Sequence, residues 1–226
     1  MSHVLDNPAW NALQSGNKHL AFGDNPVSYF DKEVSPFAAL EENTEANFQL
    51  LYEQIRHNGP ILFVTPVEIA FSKQWEVPRV IKGLQMVCDT ATMPDEVTAQ
   101  LTPLTDDHIP QMLELTKLTN PGPFASRTIN FGHYQGIFED GKLVAMAGQR
   151  LHAFNYAEIS AVCTHPDHTG KGYARQLLLN QINRIKAASG IPFLHVRYDN
   201  HRAIKVYESL GFATRIEVYF YVLKKV

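Results

Sequence analysis

Apolar positions along the chain recur with two periods, one helical and one alternating, and their order divides the sequence into mixed α and β halves. In the first half, Pro8 to Gly16 reads as a helix with Asn7 as its cap and Pro8 at the first helical position, followed by two short strands. Phe48, Leu51, Tyr52 and Ile55 fall on one helical face, predicting a helix from Glu45 to His57 that Asn58-Gly59-Pro60 stops. Ile61 to Val64 and Val77 to Val87 have strand composition. The segment TATMPDEVT, Thr90 to Thr98, is polar, broken by a proline and flanked by periodic stretches, which predicts an interdomain linker.

The second half is more regular. A strand at Leu101 to Leu104 leads to Thr105 and a helix whose first turn carries Asp106 and Asp107, where the helix dipole favours acids. Ile109, Met112, Leu113 and Leu115 to Leu118 give that helix its apolar face. Tyr134 to Phe138, Asp140-Gly141 and Leu143 to Ala147 form a hairpin signal, and Ala157 to Thr164 extends the meander. An amphipathic helix runs from Lys171 to Ala188 with Ala174, Leu177, Leu178, Ile182 and Ile185 inward. Phe193 to Val196 is a strand, Asn200 to Leu210 a helix stopped by Gly211, and Phe212 to Leu223 a terminal pair of strands. The expectation is two domains, an α+β unit at 1–92 without a chemical motif and an α/β unit at 98–226.

Composition narrows the function classes. With 45% hydrophobic and 19% charged residues, 226 residues make an ordinary globular protein, and a formal charge of −3 gives no electrostatic reason for nucleic-acid or membrane-surface binding. The N-terminal residues lack the basic start and apolar run of a secretory signal, and no apolar stretch approaches a membrane span, so a cytoplasmic location is expected. Cys88 and Cys163 lie in apolar strands and read as buried free thiols.

The chemistry concentrates in ISAVCTHPDHTGKGYARQLL, a strand, a turn and a helix with Gly170 and Gly172 at the turn. Glycines there let successive N–H groups converge, and the helix N-terminus adds partial positive charge, an arrangement that suits a diphosphate, with Lys171 as a nearby cation. A nucleotide P-loop is excluded because Gly172 follows Lys171 where serine or threonine is required, and a dinucleotide fingerprint because the three-glycine spacing is missing. Cys163, His165, Asp167 and His168 crowd one strand end without a zinc-like spacing, so no metal is expected.

Thr169-Gly170-Lys171-Gly172-Tyr173-Ala174 resembles the coenzyme-A loop of the GNAT superfamily of acetyl-CoA-dependent N-acetyltransferases, with Thr169 where arginine or glutamine is usual. Asn200 to Phe212, NHRAIKVYESLGF, resembles a second motif of that family, and the resemblance covers about residues 98–226. It implies a mixed, mostly antiparallel central sheet flanked by helices, behind a smaller N-terminal α+β domain. It also implies acetyl-CoA as cosubstrate, held by Val162, Cys163, Thr164, Thr169, Gly170, Lys171, Gly172, Tyr173, Ala174, Arg175 and Asn200.

An amine attacks a thioester only when neutral, so a proton acceptor is needed. Glu158 is the candidate, since it adjoins the apolar Ile159-Ser160-Ala161-Val162 run, where desolvation would raise its pKa, and since a catalytic glutamate holds this spacing in histone-type family members. Tyr207, near the coenzyme sulfur in the family, is the candidate proton donor to the thiolate. Cys163 is set aside as a covalent nucleophile because no cation adjoins it. The loop Leu118 to Arg127 corresponds to the family's acceptor side; there Phe124 reads as a pocket wall or a core residue, and Arg127 as the partner of an acceptor carboxylate or a surface residue. The acceptor expected is a small-molecule or peptide amine. The competing expectation is a catalytically inactive CoA-binding regulatory module.

Overall fold

The computed structural model describes residues 3–90 and 96–226. In chain order the elements are α1 (Pro8–Gln14), β1 (Ala21–Phe22), β2 (Val27–Phe30), β3 (Ala38–Leu40), α2 (Glu45–Gln54), β4 (Ile61–Thr65), β5 (Trp75–Val87), β6 (Thr102–Pro103), α3 (Ile109–Thr119), β7 (Gln135–Glu139), β8 (Lys142–Ala153), β9 (Tyr156–Thr164), α4 (Tyr173–Ala187), β10 (Ile191–Arg197), α5 (His201–Ser209) and β11 (Ala213–Lys225). No helix among the described residues is long and apolar enough to cross a membrane.

Local chemistry sets several of these boundaries. Thr44 caps α2 by accepting the Asn47 N–H, Asn200 caps α5 by accepting the Ala203 N–H, and α3 ends on Asn120 in the left-handed region. Asp140 and Gly141, both at positive φ, close the β7–β8 hairpin. Asn7 does not cap α1 as expected; its side-chain amide donates instead to the Leu40 carbonyl and fastens α1 to β3.

Eight strands form one sheet in the order β4-β11-β5-β10-β9-β8-β7-β6, antiparallel throughout except for β9 beside β10. Of the residues expected to form two terminal strands, Phe212 to Leu223, those from Ala213 on instead belong to one strand, β11. It is long because β5 supports it from Trp75 to Val87, with bulges where the ladder skips. Most of the expected linker, 91–95, lies outside the described residues. The strands on either side of it share a sheet: β5 sits between β10 and β11, so the cut expected between 92 and 98 does not separate one sheet from another.

Both sheet faces are covered. On one, α1, α3 and the Leu5 segment pack Met112, Leu115, Phe131, Tyr134, Met146, Leu151 and Phe193 into a core. On the other, α4 and α5 pack Leu178, Ile182, Ile185 and Leu210 against Met86, Leu194 and Phe212. A third cluster joins α2 to β4, β5 and β11 through Phe48, Leu51, Phe63, Trp75 and Tyr221. Cys88 and Cys163 are both buried free thiols.

Candidate active site

The site begins where the parallel strands diverge. β10 pairs with β9 only at Ile191, Pro192 and Phe193, opposite Tyr156, Ala157 and Glu158. From Leu194 to Arg197 it follows β5 alone. The register of β9 with β10 therefore ends at Glu158, and the main chain from Ile159 to Thr164 faces an opening on that side. Ala161 lies there at φ 53°, inside a bulge between the Met146 and Gly148 pairings with β8.

Along β9 the side chains divide between the two faces. Val162 packs toward Leu177 and Tyr173 of α4, while Ala161 and Cys163 belong to the α1/α3 core. The Thr164 hydroxyl is buried without a hydrogen-bond partner among the described residues. Burial pushes the Cys163 thiol up to about 11, so it stays protonated at neutral pH and is a poor nucleophile.

Beyond β9 the chain makes a short 3-10 turn and reaches the glycines. Gly170 and Gly172 lie at φ 83° and 81°, in the left-handed region that costs a non-glycine residue roughly 1–2 kcal/mol. A Cβ at either position would meet nothing within 4 Å, so the backbone angle and not crowding calls for glycine here. Tyr173, Ala174 and Arg175 open α4, whose first-turn N–H groups have no intrahelical acceptor, and among the described residues no side chain caps that end. Thr169 turns its hydroxyl back to the Pro166 carbonyl at 3.0 Å.

Lys171 does not stand alone as the expected cation. Its ammonium lies 3.0 Å from both oxygens of Glu139, His168 approaches the same carboxylate at 3.2 Å, and the Tyr173 hydroxyl donates to it. The Tyr173 hydrogen bond first, then Lys171, holds the Glu139 carboxyl down at about 2. Glu139, at the end of β7, thus pins the turn from outside the motif. Nothing in its sequence setting distinguishes it.

Glu158 departs from its expected role. Its side chain is fully buried, with Arg150 Nε at 2.8 Å from one oxygen and Arg150 Nη2 at 2.6 Å and His195 Nδ1 at 2.7 Å from the other. Burial alone would raise this carboxyl, as expected, but the Arg150 charge and hydrogen bonds, with His195, outweigh it and hold the pKa well below the usual range. A carboxylate so occupied is a weak base, which corrects its assignment as proton acceptor. The contact continues outward: Gln85 lies 3.0 Å from His195 Nε2 and donates to the Leu5 carbonyl, while Arg215 donates to Gln85 and to Asp6. A polar chain thus crosses the sheet beneath the Leu5 segment. Arg150 also lies over the Phe37 ring.

The remaining candidates fall on both faces. Tyr207 is half-buried on α5, edge-on to Phe212, and packs on the same core as Val162. Burial pushes its phenol up to about 12. Asn200 uses its side-chain oxygen as the α5 cap. On the α1/α3 face Phe124 packs edge-on to Tyr134 at 5.8 Å, forming a wall. Arg127 is exposed and 3.8 Å from Asp31, in a loop tied to residues 31–35 by the Arg127 N–H to Glu33 carbonyl bond and by Thr128 to Val34. Val162, Tyr173 and Tyr207 therefore share the side of α4 and α5, whereas Cys163, Glu158 and Phe124 lie on the other, with the Arg127 loop. Among the described residues no group of three or more His, Cys, Asp or Glu side chains is placed to hold a metal ion.

Comparison with known proteins agrees with this geometry. Residues 134–221 match the family model described as FR47-like protein. The crystal structure of a protein of the GNAT family from Novosphingobium aromaticivorans DSM 12444 is 33% identical, with all of both chains covered and a TM-score of 0.92. N-alpha-acetyltransferase RimI of Mycobacterium tuberculosis is 36% identical over 84 residues, 35% of this chain and 51% of that protein, so the chain spans about half the length of that curated relative. A GCN5-related N-acetyltransferase from Kribbella flavida, 14% identical with 95% of each chain covered, shares the fold at a TM-score of 0.61. The chain belongs to the GNAT family of acetyltransferases.

Proposed function

We propose that this protein transfers an acetyl group from acetyl-CoA to a primary amine by direct attack, with both substrates bound together. The observation that carries the reading is the opening between β9 and β10 that leads into the glycine turn at the uncapped end of α4. The residues fit the coenzyme: two positive-φ glycines with open space before them follow a β9 main chain that β10 leaves open from Ile159 to Thr164, and the buried Thr164 hydroxyl has no partner among the described residues.

When bound, acetyl-CoA supplies the thioester. The N–H groups around Gly170, Lys171, Gly172, Tyr173, Ala174 and Arg175 hold the diphosphate, with Thr169 contributing geometry and no long side chain. Main-chain groups of Val162, Cys163 and Thr164 align the pantetheine arm as an added strand, and an N–H at the bulge polarises the acetyl carbonyl. As the amine attacks, the N–C bond forms and the C–S bond breaks. Tyr207 protonates the departing thiolate, and its raised pKa keeps that proton available at neutral pH. Solvent takes the amine's proton, while Glu158 holds Arg150 and His195 in place. Asn200 lies at the head of α5 on the coenzyme side, and Phe124 and Arg127 shape the acceptor side. The similarity to N-alpha-acetyltransferase RimI makes peptide α-amines the first acceptors to test.

The test is calorimetric titration with acetyl-CoA, followed by thiol release with spermidine, lysine, an aminoglycoside and a tripeptide beginning with alanine. Saturable heat and amine-dependent thiol are expected. No heat at millimolar acetyl-CoA rejects the reading, and binding without amine-dependent release identifies a regulatory module instead. Tyr207→Phe is expected to lower kcat by roughly 10²-fold while leaving acetyl-CoA affinity unchanged, and an undiminished kcat removes Tyr207 from the mechanism.

A further inference from the structure

Tyr134, just before β7, is 3% exposed, and its hydroxyl is buried with no hydrogen-bond partner among the described residues. Its ring lies over Gly148 of β8, where a Cβ would sit 2.4 Å from ring atoms, so the missing side chain at Gly148 is the seat for this ring. Phe124 closes the other side edge-on. Gly148 pairs across the ladder with Ser160, the residue before the positive-φ bulge at Ala161. Tyr134 packs in the same core as Ala161 and Cys163 of β9, which places it on the face opposite α4.

A buried hydroxyl without a partner destabilises the folded chain, and phenylalanine would fill the same seat without that cost. The use of the hydroxyl therefore lies with a group that arrives at the bulge. We propose that the Tyr134 hydroxyl accepts an N–H hydrogen bond from the attacking amine and aims the amine's lone pair at the thioester carbon held against the β9 bulge. This rests on the acetyl-transfer reading above. Burial raises the phenol pKa, so the group remains a neutral hydroxyl that orients the amine without taking its proton.

The experiment compares Tyr134→Phe with the wild-type chain in three measurements: acetyl-CoA affinity by calorimetry, kcat/KM for whichever of the four amines above turns over fastest, and the urea unfolding midpoint. Loss of orientation is expected to lower kcat/KM for the amine by about 10- to 100-fold. Acetyl-CoA affinity should be unchanged and the unfolding midpoint equal to or above wild type, which a merely structural tyrosine would not show together with lost turnover. Gly148→Ala, which displaces the ring while leaving Tyr134 in the sequence, should reproduce the loss in kcat/KM. A Tyr134→Phe chain that matches wild-type kcat/KM overturns the role of Tyr134 and leaves the acetyl-transfer reading standing. Wild-type protein that neither binds acetyl-CoA nor releases thiol overturns both.

Discussion

Deleting residues 1–90 is expected to leave a chain that does not fold. The deletion removes β4 and β5, and with them the strand that joins β10 to β11. Neither β10 nor β11 has another partner able to replace it, since β10 keeps only three paired residues on β9 and β11 loses both neighbours. Met86 is lost from a core whose other members largely stay behind, and Phe63 and Trp75 are lost from the cluster that buries Tyr221 and Leu223, which stay behind uncovered. Truncating one such side chain costs about 2–5 kcal/mol. Three together match the roughly 5–15 kcal/mol by which a typical domain is stable. The 91–226 fragment should therefore show no cooperative thermal transition and no dispersed amide spectrum; a fragment that melts cooperatively would establish an independent second domain.

Replacing Glu158 is the second large effect. Glu158→Gln leaves Arg150, whose side chain is only 12% exposed, without a counter-charge. Removing one partner of a buried pair costs about 3–5 kcal/mol, whereas replacing both by apolar residues is often neutral. Urea titration should show Glu158→Gln destabilised by roughly that amount, with the Arg150→Met/Glu158→Leu double variant recovering most of it. The pH dependence has a definite sign. Because folding lowers the Glu158 pKa from the ordinary 4.5, the unfolded chain binds more protons in acid. Its stabilisation is complete above pH 4.5 and declines as pH falls from there toward the folded pKa. Glu158→Gln should flatten this acid limb, and an unchanged acid limb would locate the titrating group elsewhere.

The sequence made the local features readable. The β7–β8 hairpin follows from alternation on either side of Asp140-Gly141, and the turn into α4 follows from two glycines that the structure places at positive φ. Strand order was not readable in the same way, because β5 carries no mark of which later strands it will meet. The polar partner of Glu158 lay closer to view. Glu158 interrupts an apolar strand of the predicted meander, while Arg150 falls just beyond the predicted strand Leu143 to Ala147, which in the structure runs on to Ala153. The β8 bulge between the Gln149 and His152 pairings shifts the register there, so simple counting does not set the two residues face to face. Tyr134 and Glu139 required the structure for the same reason, since Gly148 and Lys171 reach them only through folding.

The position of β5 also governs the order in which this protein can assemble. On the ribosome β5 is finished at Val87, but its two neighbours begin only at Ile191 and Ala213. Through most of translation both of its edges stay unsatisfied, a situation that favours slow, non-local folding and association with other chains. Its own sequence counters that hazard: Glu76, Pro78, Arg79 and Lys82 interrupt the apolar residues and make the waiting strand a poor template for a second copy. Synthesis rate and chaperone supply should consequently influence the yield of active protein more than the stability of the finished sheet does.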